Sequence, residues 1–308
     1  MNQALPMEPS REQLPSALPR FFLATRPAFL SVTWVGVLLG FACAPGFNAL
    51  TAAVTLIFAL AAHAGANVVN DFHDMDTDAL NTERLFPFTG GSRFIQNGVL
   101  SPRSIALLGY GLLLSVVPAG FWLMAKVGNG LFWIGLAGLL LGWAYSAPPL
   151  RLAARGMGEL AVALGWSLVV VGAAMVQGAA WAPRPFYAGL AYGLMVANLL
   201  YINQFPDATA DAAAGKRTVV VRLGRTRAVA GYAVITALAA LIVVAAVIMG
   251  VFTPWALASL LALLPAIQAY RQLAAQAEQP AALRPAIQAT IAAAHLFGLL
   301  LAAALFFA

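Results

Sequence analysis

The stretch NVVNDFHDMDTD, Asn67 to Asp78, closes an apolar run of membrane-spanning length. Within it Asn67, Asn70, Asp71, Asp74 and Asp78 stand at offsets 0, 3, 4, 7 and 11. At about 3.6 residues per turn these side chains share one helix face. Carboxylates stacked on one face repel each other unless a cation sits among them. A hard divalent ion with oxygen ligands is the natural neutraliser. A second stretch, NQFPDATAD, sets Asn203, Asp207 and Asp211 at offsets 0, 4 and 8, again where an apolar run ends. Pro206 falls inside this second pattern and removes one backbone donor from it. The rest of the chain reads as a scaffold that brings the two acidic faces together.

Composition sets the class of that scaffold. The 308 residues are 62% apolar and 9% charged, with a mean hydropathy of +0.84. Soluble domains carry about 25% charged residues, so the expected fold is all-α and polytopic in a membrane. Nine spans are predicted, near residues 27–45, 48–70, 104–125, 129–145, 159–181, 185–203, 228–250, 253–270 and 287–307. The polar, proline-rich residues 1–20 are expected to form a mobile cytosolic tail, and residues 21–308 a single transmembrane domain. Cys43 is alone, so disulfides do not hold the monomer together.

The net charge of +6 sorts by side of the membrane. Of the 17 basic residues only Lys126 and Arg184 fall on one side, which places the N-terminus and the loops after the second, fourth, sixth and eighth spans in the cytoplasm. This accounts for the basic balance without a nucleic-acid partner. The acids sort the same way, with Asp71, Asp74, Asp76, Asp78 and Glu83 after the second span and Asp207 and Asp211 after the sixth. An active face at one membrane surface fits that distribution. A transporter, the competing class, calls for ionisable groups at mid-membrane depth and broken helices in matching halves.

Acid-lined sites with nearby cations suit a magnesium-bound polyphosphate, since Mg2+ prefers one or two carboxylates plus phosphate oxygens. Asp71, Asp74 and Asp78 are the candidate ligands of one ion, and Asp207 with Asp211 of a second. Arg93, Lys216 and Arg217 are candidates for direct phosphate contact. A lipid tail on the same substrate would lie between the apolar spans, and the combination points to a prenyl diphosphate. Ionising its allylic C–O bond calls for electrostatic support of the leaving diphosphate and a dry, π-rich wall. Phe72, Tyr145 and Phe205 are the aromatic candidates nearest the motifs in sequence.

Together NxxND-xx-D-xxx-D and N-xxx-D-xxx-D, on the second and sixth spans, resemble the UbiA superfamily of intramembrane aromatic prenyltransferases. The resemblance runs from about Arg26 to the C-terminus. It implies nine helices around a central cavity, with Asn67, Asp71, Asp74, Asp78, Asn203, Asp207 and Asp211 binding a magnesium-diphosphate. The strings TGGSRFIQNGVLS (89–101), YSAPPLRLAARGMGEL (145–160) and NQFPDATADAAAGKRTVVVRLG (203–224) resemble the 1,4-dihydroxy-2-naphthoate branch, which makes menaquinone precursors. The resemblance implies a prokaryotic plasma (inner) membrane enzyme using Mg2+, a prenyl diphosphate and an aromatic acceptor. Asn70, Tyr145 and Arg151 join the expected substrate-binding set. The 4-hydroxybenzoate branch, which usually has an R-P-L type string after the first motif, is the alternative, and MDTD departs from the naphthoate pattern, which often has a glycine before the last aspartate. Oligomeric state stays open.

Blander readings apply elsewhere. Asp74, Asp76 and Asp78 open like a calcium loop, but the required glycine is Ala79 and the closing glutamate position is Leu85. Asp76 and His73 lie off the shared face. His63, one turn before Asn67, is a functional candidate because it is ionisable inside a span, against the alternative of a neutral hydrogen-bonded histidine. Glu159 starts a helix, where the positive helix end favours an anion. The glycines at 90 and 91 permit a turn in a long loop, a candidate lid over the site.

Overall fold

Apolar runs broken by proline, glycine and polar caps set the helices. The computed structural model describes residues 7–179 and 181–307, and among them all regular structure is helical. The order is α1 (Ala17–Ala24), a 3-10 turn at Pro27–Leu30, α2 (Ser31–Ala42), α3 (Ala49–His73), α4 (Met75–Leu80), α5 (Pro102–Val127) and α6 (Gly130–Ala144). There follow α7 (Gly158–Val176), α8 (Pro183–Ala213), α9 (Val219–Leu223), α10 (Arg225–Ile248), a 3-10 stretch at Pro254–Ala262, α11 (Leu263–Gln276) and α12 (Arg284–Phe306). Side chains cap the long helices where the sequence supplies them. Asn48 accepts from the Leu50 and Thr51 N–H groups at the head of α3, and Ser101 accepts from Ser104 N–H ahead of Pro102 in α5.

Six helices, α3, α5, α7, α8, α10 and α12, are long and apolar enough to cross a membrane. Counting α1 with Pro27–Ala42, bent by 48° at the break, as one span gives seven. Each of the nine expected segments contains helix, but the one at 27–45 reaches spanning length only together with α1, and two others fall short of a spanning helix. The segment expected at 129–145 is α6, whose 15 residues reach only about 22 Å against a core of about 30 Å. The segment expected at 253–270 divides into a 3-10 stretch and α11.

Small residues let these helices approach closely, which is how helices associate where lipid removes the hydrophobic drive. At the α3–α5 crossing, Gly65 faces the Leu113 backbone and Gly109 faces the Val69 backbone, each so near that a Cβ would meet it at about 3 Å. α8 is the central helix: it packs against α7, α10 and α12 and carries fully buried Tyr192, Asn198, Ile202 and Phe205. Two of its buried side chains donate to partners on neighbouring helices, in keeping with the demand a bilayer places on polar groups. Tyr192 donates to Val32 O at 2.7 Å, and Asn198 Nδ2 donates to Thr236 Oγ1 at 2.8 Å. α8 also runs unbroken through Pro206, so the proline costs one bond without displacing Asn203 from the turns that carry Asp207 and Asp211.

The stretch expected as a mobile tail makes polar contacts with residues 84–98 in its described part. Glu8 pairs with Arg84 at 2.7 Å and with Arg93 at 3.5 Å, and Arg11 donates to Gly98 O at 2.7 Å. Residues 1–6 lie outside the described residues.

Candidate active site

Both acidic motifs end their helices on one face of the molecule and line one cavity of about 590 Å³. α3 stops at His73, and Asp74 both caps it and opens α4. The helical bonding carries across the joint, with Asp74 N–H on Asn70 O and Asp78 N–H on Asp74 O, each at 2.8 Å. Asn67, Asn70, Asp74 and Asp78 therefore stay on the cavity face, joined from α8 by Asn203, Asp207 and Asp211.

Two contacts tie the motifs together. Lys216, in the turn after α8, places Nζ 3.0 Å from Asp74 and 3.4 Å from Asp211. Asn81, just past α4, donates to Asp207 at 2.5 Å. Asn70 donates to Asp74 at 2.7 Å and to Ser146 at 2.9 Å, and Asn67 donates to Thr25 O at 3.3 Å. Burial works against the Lys216 ammonium, but the Asp74 and Asp211 carboxylates outweigh it and raise its pKa above the lysine norm. Burial, reinforced by the Asp71 charge, pushes the Asp78 carboxyl well above the usual range.

Away from these groups the cavity is apolar, walled by Phe121, Leu131, Phe132, Leu136, Leu168 and Val169. The loop after α4 covers its polar end through Thr89, Gly90 and Gly91. That loop is pinned to the first motif, with Ser92 N–H on Asp71 at 3.2 Å and an Arg93 Nη on Asp78 O at 2.6 Å. Gly91 has φ 76° and packs against the Asp78 carboxylate so closely that a side chain would collide with it.

Several expectations are corrected here. Asp71 does not line the cavity: at the edge of the helical arc it turns to Arg26, whose Nη2 lies 2.5 Å away, and Arg26 lines the cavity instead. Arg93 is buried against backbone and Glu8, so it braces the loop and does not face the cavity. Arg151 and Arg217 face a separate basic pocket, because the cavity side of their loops is taken by Ala153 and Lys216. Of the three aromatic candidates only Tyr145 lines the cavity. Phe72 packs with Val68 and Phe94, and Phe205 is buried against Tyr201. Phe29, Phe58, Phe88 and Trp166 supply the aromatic wall instead.

Other residues fall as follows. His63 lines the cavity and shares a hydrogen with Thr33 Oγ1 at 2.8 Å, while His73 bonds Tyr110 and His295 bonds Ser31. Glu159 accepts from Gln204, whose Oε1 receives the Val220 N–H at 3.4 Å. Arg26, Asn81 and Gln204 were not reached by the spacing argument. Asn81 carried a signal, since its offset of 14 from Asn67 continues the same face. Arg26 carried none beyond a basic residue at the start of a span.

The donor set can be tested against magnesium. Among the described residues no three His, Cys, Asp or Glu side chains form a ready metal cage. Carboxylates do converge from both motifs on a single cation, the Lys216 ammonium, and the buried Asn203 Oδ1 has no partner. That suits an ion bound through one or two carboxylates and completed by ligand oxygens.

Comparisons with known proteins agree with this architecture. The 1,4-dihydroxy-2-naphthoate octaprenyltransferase of Bacillus subtilis is 27% identical, over 90% of this chain and 89% of its own length. The 2-carboxy-1,4-naphthoquinone phytyltransferase of Synechocystis is 26% identical, over 91% of this chain and 90% of its own. The solved structure of a UbiA homologue from Archaeoglobus fulgidus bound to DMAPP and Mg2+ shares the fold with a TM-score of 0.68. That match is at 17% identity, over 89% of this chain and 98% of that one. The model of the UbiA prenyltransferase family matches residues 29–294, a span that takes in both acidic motifs, the covering loop and the cavity walls, and the chain belongs to that family.

Proposed function

We propose that the chain transfers a prenyl group from an allylic prenyl diphosphate to 1,4-dihydroxy-2-naphthoate, in the plasma (inner) membrane of a prokaryote with the site on the cytoplasmic side. The observation that carries this reading is Lys216 bridging Asp74 and Asp211 at the polar end of an otherwise apolar cavity. A charged head and a long hydrocarbon tail have complementary surroundings in that one space. The sorting of basic residues supports the orientation, and the naphthoate relatives support the acceptor.

In this reading Arg26 and Lys216 donate to the diphosphate, and Asn67, Asn70, Asn81 and Asn203 orient the head group. Asp74, Asp78, Asp207 and Asp211 would hold magnesium, which when bound supplies positive charge to the departing diphosphate. Asp71 acts through Arg26 by fixing its guanidinium. The bond from prenyl C1 to oxygen breaks, and the diphosphate takes the electron pair. A bond from C1 to the electron-rich acceptor carbon forms, and that carbon loses its carboxyl as carbon dioxide. Tyr145, Phe29 and Trp166 present π faces to the allylic charge. The apolar wall keeps water from capturing it.

Purified protein in nanodiscs, offered allylic prenyl diphosphates with dihydroxynaphthoate or 4-hydroxybenzoate, tests the proposal by mass spectrometry with magnesium present or chelated. A magnesium-dependent prenylated naphthol lacking the carboxyl is the expected product. Prenylated hydroxybenzoate alone would transfer the chain to the other branch. No product with either acceptor would overturn the acceptor assignment.

A further inference from the structure

A second pocket of about 240 Å³ lies outside the cavity, lined by Arg151, Arg155, Arg217 and Arg222 with Ala154 and Gly215. Two loops, one between α6 and α7 and one between α8 and α9, build it together with Arg222 of α9. They are stitched together by the Arg217 N–H on Ala154 O at 2.7 Å. Alternation along the paired loops separates the two spaces. Ala153 and Lys216 face the cavity, whereas Ala154 and Arg217 face the basic pocket.

The guanidiniums are organised rather than merely numerous. Arg222 donates to Arg217 O at 2.8 Å and to Arg155 O at 2.7 Å, and Arg155 donates to Pro149 O at 2.8 Å. Gly156, at φ 74°, allows this approach, since a Cβ there would meet Arg217 O at 2.8 Å. Arg151 is held at φ 44°, in the left-handed region that a non-glycine residue seldom occupies. Among the described residues the Arg151 and Arg217 side chains make no hydrogen bond, and none of the four arginines has a carboxylate within ion-pair reach. The other basic clusters near the motifs are neutralised, Arg26 by Asp71, Arg84 by Glu8 and Arg225 by Glu83.

We infer that this pocket is a binding site for a phosphate group, distinct from the cavity and independent of which prenyl substrate the cavity takes. Guanidinium forks match phosphate oxygens in geometry and charge. Four of them exceed what a single carboxylate neutralises. The phosphate has two sources, an anionic lipid headgroup or a free ion. The position at the helix ends, with exposed Leu150 and Met157 on the first loop and exposed Leu223 at the end of α9, gives a headgroup room for its acyl chains alongside.

The test uses the full chain in nanodiscs, with divalent cations chelated so that the acid-lined cavity repels anions. Labelled inorganic phosphate is titrated into phosphatidylcholine discs. In parallel, phosphatidylglycerol retained by the protein is counted by native mass spectrometry as its fraction in the disc rises. The variants are Arg151→Gln with Arg217→Gln, the charge-keeping pair Arg151→Lys with Arg217→Lys, and a same-charge control, Arg103→Gln with Arg227→Gln. The glutamine pair should weaken binding by about tenfold or more, the lysine pair less, and the control little. Loss of free phosphate binding identifies a soluble anion, and loss of phosphatidylglycerol retention alone identifies a headgroup. Retention of neither probe by the unmodified protein, or an equal loss in the control, overturns the inference.

Discussion

The Arg26 guanidinium lies 2.5 Å from the Asp71 carboxylate, and of the two only Arg26 lines the cavity. Arg26 sits at φ 55°, where the chain breaks between α1 and the 3-10 turn, so the bend itself delivers its side chain to the end of α3. An aspartate at the centre of the acidic motif thus borders the cavity through a cation.

The Asp71–Arg26 pair should behave as one unit in prenyl transfer. Asp71→Asn and Arg26→Gln should each lower kcat/KM by about a hundredfold, the scale of a lost charge-assisted bond in a buried site. The double variant should lose no more than the worse single, because removing both partners leaves no stranded charge. Steady-state kinetics with thermal melting on all three variants checks this. Additive losses would show that Asp71 acts by another route.

Gly91 separates backbone strain from steric collision. Gly91→Ala and Gly98→Ala both place alanine in the left-handed region, at φ 76° and φ 65°, at a cost of roughly 1–2 kcal/mol each. Only at Gly91 would the methyl strike the Asp78 carboxylate, since Gly98 has nothing within 4 Å. Gly91→Ala should therefore melt lower than Gly98→Ala and lose prenyl transfer as well. Equal melting points and equal activities would remove the packing of this loop from the account of the site.

The docked N-terminal segment should release in acid. Burial disfavours the Glu8 carboxylate, but hydrogen bonds from Arg84 and Asn97 and the nearby arginine charges outweigh it and hold its pKa below 4.5. A depressed folded pKa means that the stabilisation is complete above about 4.5 and is lost as pH falls through the lower folded value. The pair is partly exposed, so it contributes at most about 1 kcal/mol. Hydrogen exchange over residues 8–14 should rise below that pH, and Glu8→Gln should raise it at neutral pH. Exchange that is indifferent to both would place the hold in the contacts of Arg11 with Gly98 O and of Asn97 with Pro9 O.

Much of this was legible along the chain, for identifiable reasons. Asn67, Asn70, Asp74 and Asp78 reach the cavity because their spacing follows the helix and the joint at Asp74 keeps the helical bonds. Asp207 and Asp211 follow because α8 tolerates Pro206. Lys216 could be suspected from standing just after Asp211, but its bridge to Asp74 could not. The aromatic wall was misjudged because nearness in sequence to a motif says little about which way a ring points. Phe72 and Phe205 lie within the motifs yet pack into cores on the far sides of their helices.

By itself the sequence determined the class of molecule and the composition of each helix face. Apolar runs of spanning length, the side-by-side sorting of charge and the offsets of the acids are local properties, written in order along one chain. Only the tertiary structure decided what stands opposite each face. Arg26 and Asp71 are 45 residues apart and Asn81 and Asp207 are 126 apart, and no periodicity within one helix records a partner on another. The same holds for Arg151 and Arg217, whose charge was plain but whose side of the paired loops was not. A helix's spacing states which residues share a face, and the packing of distant helices states which cavity that face lines.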